Sequence, residues 1–389
     1  MRSPQDNPTD LSQVHLVMFM TAGMSLAEWD RLGMLDREVE IYRRLAAHCA
    51  SVSIVTYGGS ADARLSRRFP EIRVVCNRWR LPRPFYETYL TRWALRSVRG
   101  QLVVKTNQSH GGDLARRVAT RLDGRFVARC GYLISFVGEQ KFGPGSPRSQ
   151  EETKAERRLF TAADQVVVTT EAMRQRVLGY GIRSERVRVI PNYVVLDWFT
   201  PPERYEGQAG CLAFVGRLSE EKNLEALIRA VAELGMDIVL VGDGPDRIKL
   251  EALARELGCR ALFLGRRPYR EIPGILASCH LFALTSLYEG HPKALIEGMA
   301  AGLPVIGTDV PGIREAIEHG QTGWLAAGTD AAALKAAIAR VAGDPNLRRR
   351  LGTAARRQVE ATLSIERILL LELEMLSAAA AGVPGMRTP

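Results

Sequence analysis

Two glutamates mark a candidate binding site where a predicted strand gives way to a predicted helix. Glu289 and Glu297 are separated by seven residues, and the apolar run Leu281–Leu284 precedes them. Pro292 is well suited to be the first helical residue, because its fixed φ fits a helix and its missing N–H is not needed there. The free N–H groups and positive dipole end of such a helix start make a ready site for an anion.

The predicted helix gives the two glutamates different positions. Glu297 falls just over one turn into the helix, and side chains there lean back toward its N-terminus. A carboxylate in that place can accept the hydroxyls of a ribose, as the acidic residue of dinucleotide-binding folds does. Glu289 lies in the loop before the helix, where a sugar beyond the phosphates would lie, and Gly290 permits a close backbone approach. Taken alone, the pair is also typical of solvent-facing glutamates on a plain loop and helix.

Two cations follow another predicted strand. Arg217 and Lys222 lie on a strand-to-helix turn that begins at Gly216. Arginine presents a planar fork to phosphate oxygens, and lysine presents a point charge. A leaving nucleoside diphosphate gains negative charge in the transition state, and these two cations would meet it. Either cation by itself is equally consistent with a solvated basic turn that pairs with Glu220 and Glu221.

Together these residues resemble the family-4 (group 1) retaining glycosyltransferases of GT-B architecture, a family that includes bacterial surface-polysaccharide glycosyltransferases. The family pattern G-R-L…K followed by E-x7-E is matched by Gly216-Arg217-Leu218, Lys222, Glu289 and Glu297. Further matches are Val241-Gly242-Asp243-Gly244-Pro245, Leu264-Gly265, Ala301-Gly302-Leu303-Pro304-Val305-Ile306 and Ile190-Pro191-Asn192. The resemblance runs from Cys211 to Leu325 and is looser in the first half of the chain.

The resemblance implies metal-independent hexosyl transfer from a nucleotide-sugar donor. Arg217, Lys222 and Glu289 would be catalytic: the two cations stabilise the donor diphosphate, and the glutamate holds a donor-sugar hydroxyl. The implied donor-binding residues are Gly33, Gly216, Gly290, His291, Pro292, Lys293 and Glu297. The sequence contains no D-x-D, so no metal and no other cofactor is expected. Arg217, Lys222 and the helix dipole would do that electrostatic work.

Three polar residues of the first half are predicted to lie on the acceptor side. Asn107, His110 and Arg129 each follow or end a predicted strand, and polar residues at the carboxyl ends of strands suit substrate contact. Many family members place a histidine near the position of Gly131, and this sequence has none there. His110 is therefore either a substitute or a structural histidine. Gly33 resembles part of the family's glycine-rich loop, or else marks an ordinary helix start.

The segment from Arg78 to Arg99 interleaves arginines with aromatic side chains. Glu87 is the one acidic residue of this segment. Its arginines are Arg78, Arg80, Arg83, Arg92, Arg96 and Arg99. Phe85, Tyr89 and Trp93 fall at helical spacing. Such a helix can lie on an anionic membrane surface and would suit a lipid-linked acceptor at the cytoplasmic leaflet. The alternative is an ordinary covering helix that turns its aromatic stripe into the core.

Short apolar runs alternate with helical patterns on both sides of a Pro-rich break after Pro201. The predicted strands are Val14–Met20, Val52–Tyr57, Val74–Cys76, Leu102–Lys105, Phe126–Ala128, Val166–Thr169, Val187–Ile190, Leu212–Val215, Ile238–Val241, Leu262–Leu264, Leu281–Leu284 and Val305–Gly307. Alternating βα units favour parallel sheets covered on both faces. The chain of 389 residues also exceeds the ~250–300 that one hydrophobic core supports.

The predicted fold class is therefore α/β, and with the resemblance it is GT-B: two doubly wound Rossmann-like domains that face each other across a cleft. We predict an N-terminal acceptor-side domain over 1–195, completed by a C-terminal helix over 363–378. The donor-binding domain is predicted over 205–362, and a flexible tail over 379–389.

Net charge and cysteine content limit the cellular compartment of the protein but do not identify its binding partner. The net charge of +10 fits phosphate-bearing substrates, a membrane surface or nucleic acid. Six cysteines without a CxxC pair indicate a reduced protein. The polar first ten residues are unlike a signal peptide, and no apolar run reaches the ~20 residues of a membrane span. We expect a cytoplasmic protein, peripheral on the inner face of the membrane if the basic segment binds lipid.

Two other function classes stay open at this point. A basic cleft protein could grip single-stranded nucleic acid through arginines and aromatic rings. A sugar-nucleotide epimerase of GT-B architecture would share the same donor motifs. The expected partners under the favoured hypothesis are a nucleotide-sugar donor, a glycan or lipid-linked acceptor and an anionic membrane surface, with no nucleic acid.

Overall fold

The computed structural model describes residues 11–96, 98, 100–201 and 210–382. The predicted linker from residue 202 to 207, Arg99 and residues 383–389 of the predicted tail lie outside these residues. The described chain divides into two compact units. The first takes residues 11–31, 38–191 and 369–382, and the second takes 32–37, 192–201 and 210–368.

Seven strands form the sheet of the first unit: β1 (Val14–Phe19), β2 (Ser51–Val55), β3 (Ile72–Val75), β4 (Gln101–Thr106), β5 (Arg125–Arg129), β6 (Gln165–Val168) and β7 (Val187–Val189). All neighbours pair in parallel, in the order β3-β2-β1-β4-β5-β6-β7. The strand order therefore reverses between β1 and β4. Connections that leave two such strands toward opposite faces open a crevice beyond their carboxyl ends.

The helices that connect these strands are α1 (Leu26–Arg31), α2 (Leu35–Ala46), α3 (Ser60–Leu65), α4 (Arg83–Tyr89), α5 (Gly112–Arg121), α6 (Ile134–Phe142), α7 (Pro147–Thr161) and α8 (Glu171–Leu178). A π-helical turn, Leu90–Ala94, follows α4 directly. Helices α7 and α8 begin at side-chain caps: Ser146 accepts the N–H of Ser149 before α7, and Thr170 accepts that of Met173 before α8. Such caps satisfy N–H groups that have no partner inside the helix.

The second unit repeats this plan with six strands: β8 (Cys211–Val215), β9 (Asp237–Val241), β10 (Ala261–Gly265), β11 (Leu281–Leu284), β12 (Val305–Thr308) and β13 (Trp324–Ala326). They are parallel and run in the order β10-β9-β8-β11-β12-β13, so the order reverses between β8 and β11. The helices are α9 (Leu224–Glu233), α10 (Arg247–Glu256), α11 (Ile272–Ala277), α12 (Lys293–Ala300), α13 (Pro311–Arg314), α14 (Ala331–Ala342), α15 (Pro345–Thr362) and α16 (Ile365–Ala381). From residue 369 onward, α16 belongs to the first unit.

Three strands that have a neighbour on both sides are buried along their whole length. Every residue of β6, β11 and β12 is buried, as expected for parallel strands with helices on both faces. The two α/β units with doubly wound parallel sheets confirm the predicted fold class. Within the described residues, no helix is both long enough and apolar enough to cross a membrane.

The structure contains all twelve predicted strands, and three details differ from the sequence-based predictions. β13 was not predicted. Helix α12 begins at Lys293, so the prediction that Pro292 is the first helical residue is wrong: its ψ of 110° is extended, and it caps the helix instead. Helix α16 continues through Ala381, into the segment that was predicted to be a flexible tail from residue 379.

Candidate functional site

The predicted catalytic residues lie on the turns that follow β8 and β11, the two strands between which the order of the second sheet reverses. Arg217 and Lys222 come after β8, and Glu289 comes after β11. The carboxyl ends of adjacent parallel strands lie at the same edge of a sheet, and ligands of open α/β sheets bind at such a reversal. The fold thus places residues that are far apart in sequence on neighbouring turns.

A lysine–glutamate pair joins these two turns. Lys222 Nζ lies 2.5 Å from Glu289 Oε1, and Ser286 Oγ donates to the same oxygen at 2.7 Å. The turns are also tied at the backbone, because Thr285 Oγ1 donates to the carbonyl oxygen of Lys222 at 2.9 Å. The side chains stay 17% and 13% exposed, so the pair is held in place and still reachable by a ligand.

Arg217 differs from Lys222 in being exposed and, among the described residues, in forming no ion pair. Its charge nevertheless acts on its own turn. Burial raises the pKa of Glu221, but hydrogen bonds from Ser219 and the backbone, with the charges of Lys222 and Arg217, bring that pKa below its usual value. An exposed guanidinium at this position can take phosphate oxygens through its planar fork.

The turn that carries Arg217 packs backbone against backbone on the turn after β9. Gly216 N donates to Val241 O at 2.9 Å, and a Cβ on Gly242 would lie 1.8 Å from Gly216 O. The φ of Gly242 is +132°, a conformation that favours glycine. Gly216 was predicted to bind donor; the structure gives it and Gly242 a shared role in shaping the turn.

The loop before α12 is shaped by a second close approach. A Cβ on Gly312 would lie 1.9 Å from Gly290 O, so glycine at position 312 lets these two backbone segments meet. The predicted close approach of Gly290 to a ligand stays a prediction. At the other end of the loop, extended Pro292 turns the chain into α12, which starts with Lys293. The first N–H groups of this eight-residue helix have no partner within it and carry its positive dipole end.

The donor-binding role predicted for His291 stays a prediction, and one nitrogen of its ring has a protein partner. Its Nδ1 accepts the backbone N–H of Asn192 at 3.2 Å, and the side-chain amide of Asn192 donates to the His291 carbonyl at 2.6 Å. Both residues are buried. Asn192 therefore holds the loop that carries Gly290 and Pro292. Its motif, Ile190-Pro191-Asn192, was visible in the sequence, although this role was not inferred from it.

Glu297 is 2% exposed and meets two protein donors that sequence reasoning missed. Arg37 Nη1 lies 2.7 Å from Glu297 Oε1, and the hydroxyl of Tyr269 donates to the same oxygen at 3.1 Å. All three residues belong to the second unit, because residues 32–37 are part of it. No local pattern signals these contacts, since Arg37 and Glu297 stand 260 residues apart in the chain.

Gly33 lies in the same short segment as Arg37. Its φ is +73°, and a Cβ there would lie 2.3 Å from the carbonyl oxygen of Arg267. The positive φ and the close carbonyl both require glycine at position 33. The contact with the loop after β10 is therefore enough to account for this glycine without any bound ligand. The predicted contact of Gly33 with donor phosphates stays a prediction.

The predicted acceptor-side residues lie at the carboxyl ends of β4 and β5 in the first unit. Asn107 and Arg129 are brought together, with Arg129 Nη1 donating to Asn107 O at 3.3 Å. His110 has an exposed side chain, and its carbonyl accepts the N–H of Ala22 at 3.2 Å. Gln108, which was not predicted, joins the two loops by accepting the N–H of Gly131 at 2.8 Å. Their contact with an acceptor stays a prediction.

A buried ion pair lies just below that edge of the first sheet. Lys105 Nζ is 2.5 Å from Glu372 Oε2 in α16, and their side chains are 2% and 5% exposed. Burial lowers the pKa of the Lys105 ammonium, and the Glu372 carboxylate opposes that shift. Buried Tyr42 lies close by, and its pKa is raised, mainly by burial.

The basic segment presents three aromatic side chains to solvent, whereas Tyr86 is buried and Tyr89 is half-buried. Phe85 is 65% exposed, Trp93 is 75% exposed and Trp79 is 51% exposed, so the alternative that buries this stripe in the core is wrong for them. The π-helical turn after Tyr89 shifts the register, and the buried face is formed by Tyr86, Leu90 and Ala94 instead.

The charges of this segment are nearly all basic at its surface. Glu87, its one acid, is 6% exposed and pairs with Arg117 at 2.9 Å and Arg121 at 2.8 Å. Five arginines of the segment are exposed: Arg78, Arg80, Arg83, Arg92 and Arg96. We call the exposed side chains Trp79, Phe85, Trp93, Arg92 and Arg96, with their arginine neighbours, the basic-aromatic surface.

Two family models match the chain. The model described as glycosyl transferases group 1 matches residues 203–358, and the model described as a glycosyl transferase 4-like domain matches residues 33–193. The first match contains the turns after β8 and β11, and the second contains the predicted acceptor-side residues and the basic-aromatic surface.

Curated relatives align with part of the chain. It is 29% identical over 251 residues to the D-inositol 3-phosphate glycosyltransferase of Corynebacterium jeikeium (strain K411), with 58% of this chain and 60% of that protein covered. It is 30% identical over 230 residues to the lipopolysaccharide core biosynthesis glycosyltransferase LpsE of Rhizobium meliloti (strain 1021), with 56% and 66% covered. The matched region spans roughly half to two thirds of the length of these relatives.

Solved structures match the fold over almost the whole chain. The Anabaena protein Alr3699/HepE, solved in complex with UDP, aligns with a TM-score of 0.76 at 19% identity, covering 93% of this chain and 99% of that one. Sucrose-phosphate synthase from Thermosynechococcus elongatus aligns with a TM-score of 0.74 at 21% identity, covering 92% and 97%. At these identities the likeness concerns the fold.

Proposed function

Because this chain belongs to the group 1 glycosyltransferases, we propose that it transfers a hexose from a nucleoside-diphosphate sugar to an acceptor hydroxyl, with retention at the anomeric carbon. The arrangement after β8 and β11 carries the proposal: an exposed guanidinium, a lysine–glutamate pair and a helix N-terminus lie at the strand-order reversal. Relatives named as glycosyltransferases and a related fold solved with UDP support a nucleotide-sugar donor.

Each residue of the site has a distinct electrostatic task in this reaction. Arg217 and Lys222 stabilise the charge that develops on the diphosphate as it leaves. The first N–H groups of α12, from Lys293 onward, meet a phosphate at the positive end of the helix dipole. Glu297 accepts the ribose hydroxyls, and Glu289, held by Lys222 and Ser286, accepts a hydroxyl of the transferred sugar.

This division of tasks requires no divalent cation and no cofactor. Arg217, Lys222 and the helix dipole together supply the positive charge that a metal ion would otherwise provide. We expect the initial rate to be unchanged after treatment with EDTA and exchange into metal-free buffer. A rate that disappears on this treatment and returns only with Mg²⁺ or Mn²⁺ would contradict metal independence.

The transfer itself is tested with a panel of nucleotide sugars. Thermal shift identifies the nucleoside diphosphates that stabilise the protein, and the matching radiolabelled donors are then incubated with candidate glycan and lipid-linked acceptors. We expect label in the acceptor and an unchanged sugar configuration at the new bond. An epimerised free nucleotide sugar would instead support the epimerase alternative. Salt-dependent oligonucleotide binding that nucleoside diphosphates do not compete would support the nucleic-acid alternative, to which the comparisons lend nothing.

We further propose that the acceptor is a glycan or lipid-linked intermediate of cell-surface polysaccharide or lipopolysaccharide synthesis. The name of the relative LpsE supports this class of product. Asn107, His110 and Arg129 form the proposed acceptor side of the first unit.

The basic-aromatic surface then attaches the enzyme to the anionic inner leaflet, because exposed arginines attract lipid headgroups and exposed aromatic rings enter the interface.

Liposome flotation tests the membrane proposal. The variant Arg92→Glu/Arg96→Glu reverses two charges of the surface, and Trp93→Ala removes its most exposed ring. Arg350→Glu/Arg357→Glu on α15 makes the same change in net charge at exposed sites of the second unit and serves as the control. We expect the first two variants to lose binding to vesicles with anionic lipid, and the control to keep it. Equal binding by all variants would remove the proposed surface.

A further inference from the structure

The Glu297 carboxylate is held from one side by two donors of the protein. Arg37 Nη1 and the Tyr269 hydroxyl both meet Oε1, at 2.7 Å and 3.1 Å. A carboxylate has two oxygens and about four lone-pair directions. In the part of the chain that the structure describes, these two donors use the lone pairs of Oε1, which leaves Oε2 to accept from a ligand.

The buried Glu297 side chain has Arg37 as its ion-pair partner. The glutamate side chain is 3% exposed and that of Arg37 is 15% exposed, so neither charge is well solvated. Removing the guanidinium would leave the carboxylate buried without its ion-pair partner, which is strongly unfavourable. An ionised carboxylate accepts hydrogen bonds only, which is what two hydroxyl donors of a ribose require.

Tyr269 fixes both the carboxylate and the guanidinium. Its ring is 5% exposed and lies edge-on to Trp198 and Phe199, with centroid distances of 5.5 Å and 6.3 Å. The Arg37 guanidinium lies 5.2 Å from the centroid of the same ring. Burial, and then the negative charge of Glu297, raise the pKa of Tyr269 well above its usual value, so its hydroxyl stays a donor.

The backbone of Arg37 is anchored as well. The hydroxyl of Tyr193 donates to the Arg37 carbonyl, and Gly33, four residues earlier, lies against the backbone of Arg267. The Arg37 guanidinium is thus held by its contacts with Glu297 and Tyr269, and the backbone that carries it is held by Tyr193. Side chains that are fixed in this way present a carboxylate to a ligand without having to be ordered first.

We propose that Arg37 and Tyr269 are positioning residues for donor recognition: they hold the Glu297 carboxylate oriented so that Oε2 accepts the ribose hydroxyls of the nucleoside diphosphate. The inference rests on the proposed function, because it assumes that Glu297 faces the ribose. It assigns a role to two residues that lie outside the G-R-L…K and E-x7-E motifs.

A comparison of ribose and dideoxyribose ligands tests the inference. Isothermal titration calorimetry with UDP, GDP and ADP identifies the tightest nucleoside diphosphate, and its 2′,3′-dideoxy analogue is then titrated into the same proteins. For the unmodified protein we expect a preference of about 10- to 100-fold for the ribose form, the usual value of hydrogen bonds to a charged group. In Arg37→Met and Tyr269→Phe this preference should fall toward one, with the affinity for the dideoxy form unchanged.

Three further measurements separate positioning from general damage. Arg270→Met, an exposed neighbour of Tyr269, is the matched control and should keep the full preference. Arg37→Lys restores a positive charge and should recover part of it. With the active donor, Arg37→Met should raise KM and leave kcat within about twofold, because binding that is uniform along the reaction affects KM alone.

The results that overturn the inference differ from those that overturn the proposed function. A full ribose preference in Arg37→Met and Tyr269→Phe, with melting temperatures unchanged, would overturn the positioning role and leave the proposed transfer intact. A lack of ribose preference in the unmodified protein would overturn the role of Glu297 together with the inference. A protein that binds no nucleoside diphosphate at all would overturn the proposed function itself.

Discussion

Lys105 in the first unit and Lys222 in the second each donate to a glutamate at 2.5 Å, but their surroundings differ. The Lys105–Glu372 pair is nearly inaccessible, with side chains 2% and 5% exposed. The Lys222–Glu289 pair keeps 17% and 13% exposure at the carboxyl ends of β8 and β11. The same chemical pair thus lies in the buried interior of the first unit and at a predicted binding site of the second.

The contrast teaches that distance alone does not separate a structural ion pair from a functional one. A buried pair without solvent access is costly to break, because the remaining charge is left without water or partner. A pair that keeps some solvent access tolerates the loss of one member better and can exchange contacts with a ligand. Lys105–Glu372 is therefore expected to determine stability, and Lys222–Glu289 is expected to determine activity.

The largest predicted effect is on the buried pair. Glu372→Ala leaves the Lys105 ammonium buried alone and should lower the free energy of unfolding by about 3–5 kcal/mol. Urea unfolding followed by far-UV circular dichroism measures it, analysed for two transitions because the chain has two units. Glu374→Ala, at an exposed position of the same helix, is the control and should stay within about 0.5 kcal/mol. Equal shifts in the two variants would show that the buried pair contributes no special stability.

The next effect concerns turnover. Arg217→Ala should lower kcat by about 10²- to 10³-fold, because it removes a cation from the developing diphosphate charge. Its melting temperature should not change, since Arg217 is exposed and has no ion pair among the described residues. Arg229→Ala, exposed on α9, controls for the loss of a surface charge. Near-normal turnover in Arg217→Ala would remove the proposed role.

The smallest predicted effect is the change in the free energy of unfolding when the Lys222–Glu289 pair is broken. Lys222→Met should change the free energy of unfolding by only about 1 kcal/mol, as for ion pairs near a surface, and should still abolish most activity. The same urea experiment measures it beside Glu372→Ala. If Lys222→Met proves as destabilising as Glu372→Ala, the Lys222–Glu289 pair is structural as well, and its loss of activity cannot be assigned to the diphosphate.

Strands of the second unit were easier to predict than their contacts. Leu281–Leu284 was predicted with the bounds that the structure has, because four consecutive apolar residues are all buried. β13 was missed because Trp324 and Leu325 are only half-buried, and a three-residue strand shows no period. The E-x7-E motif marked Glu297 as a candidate donor-binding residue. No local pattern could reveal its contact with Arg37, which stands 260 residues away.

The basic segment shows what helical spacing leaves open. Phe85, Tyr89 and Trp93 share one face of a regular helix, and that face alone does not tell whether it meets the core or the solvent. The chain also leaves regular α-helical geometry at Leu90–Ala94, where a π-helical turn changes the register. Tyr86 is one of the buried residues of this region, and its hydroxyl donates to the carbonyls of Thr56 and Val75, which only tertiary structure supplies.

The ion pair between Lys105 and Glu372 also has a consequence for the order in which the units mature on the ribosome. The two residues are 267 positions apart, so at about 5–20 residues per second Glu372 is added roughly 15–50 s after Lys105. Nearly all of the second unit is synthesised within that interval. The second unit can therefore complete its sheet while the first still waits for the partner of its buried lysine, and the unit made first is the one finished last.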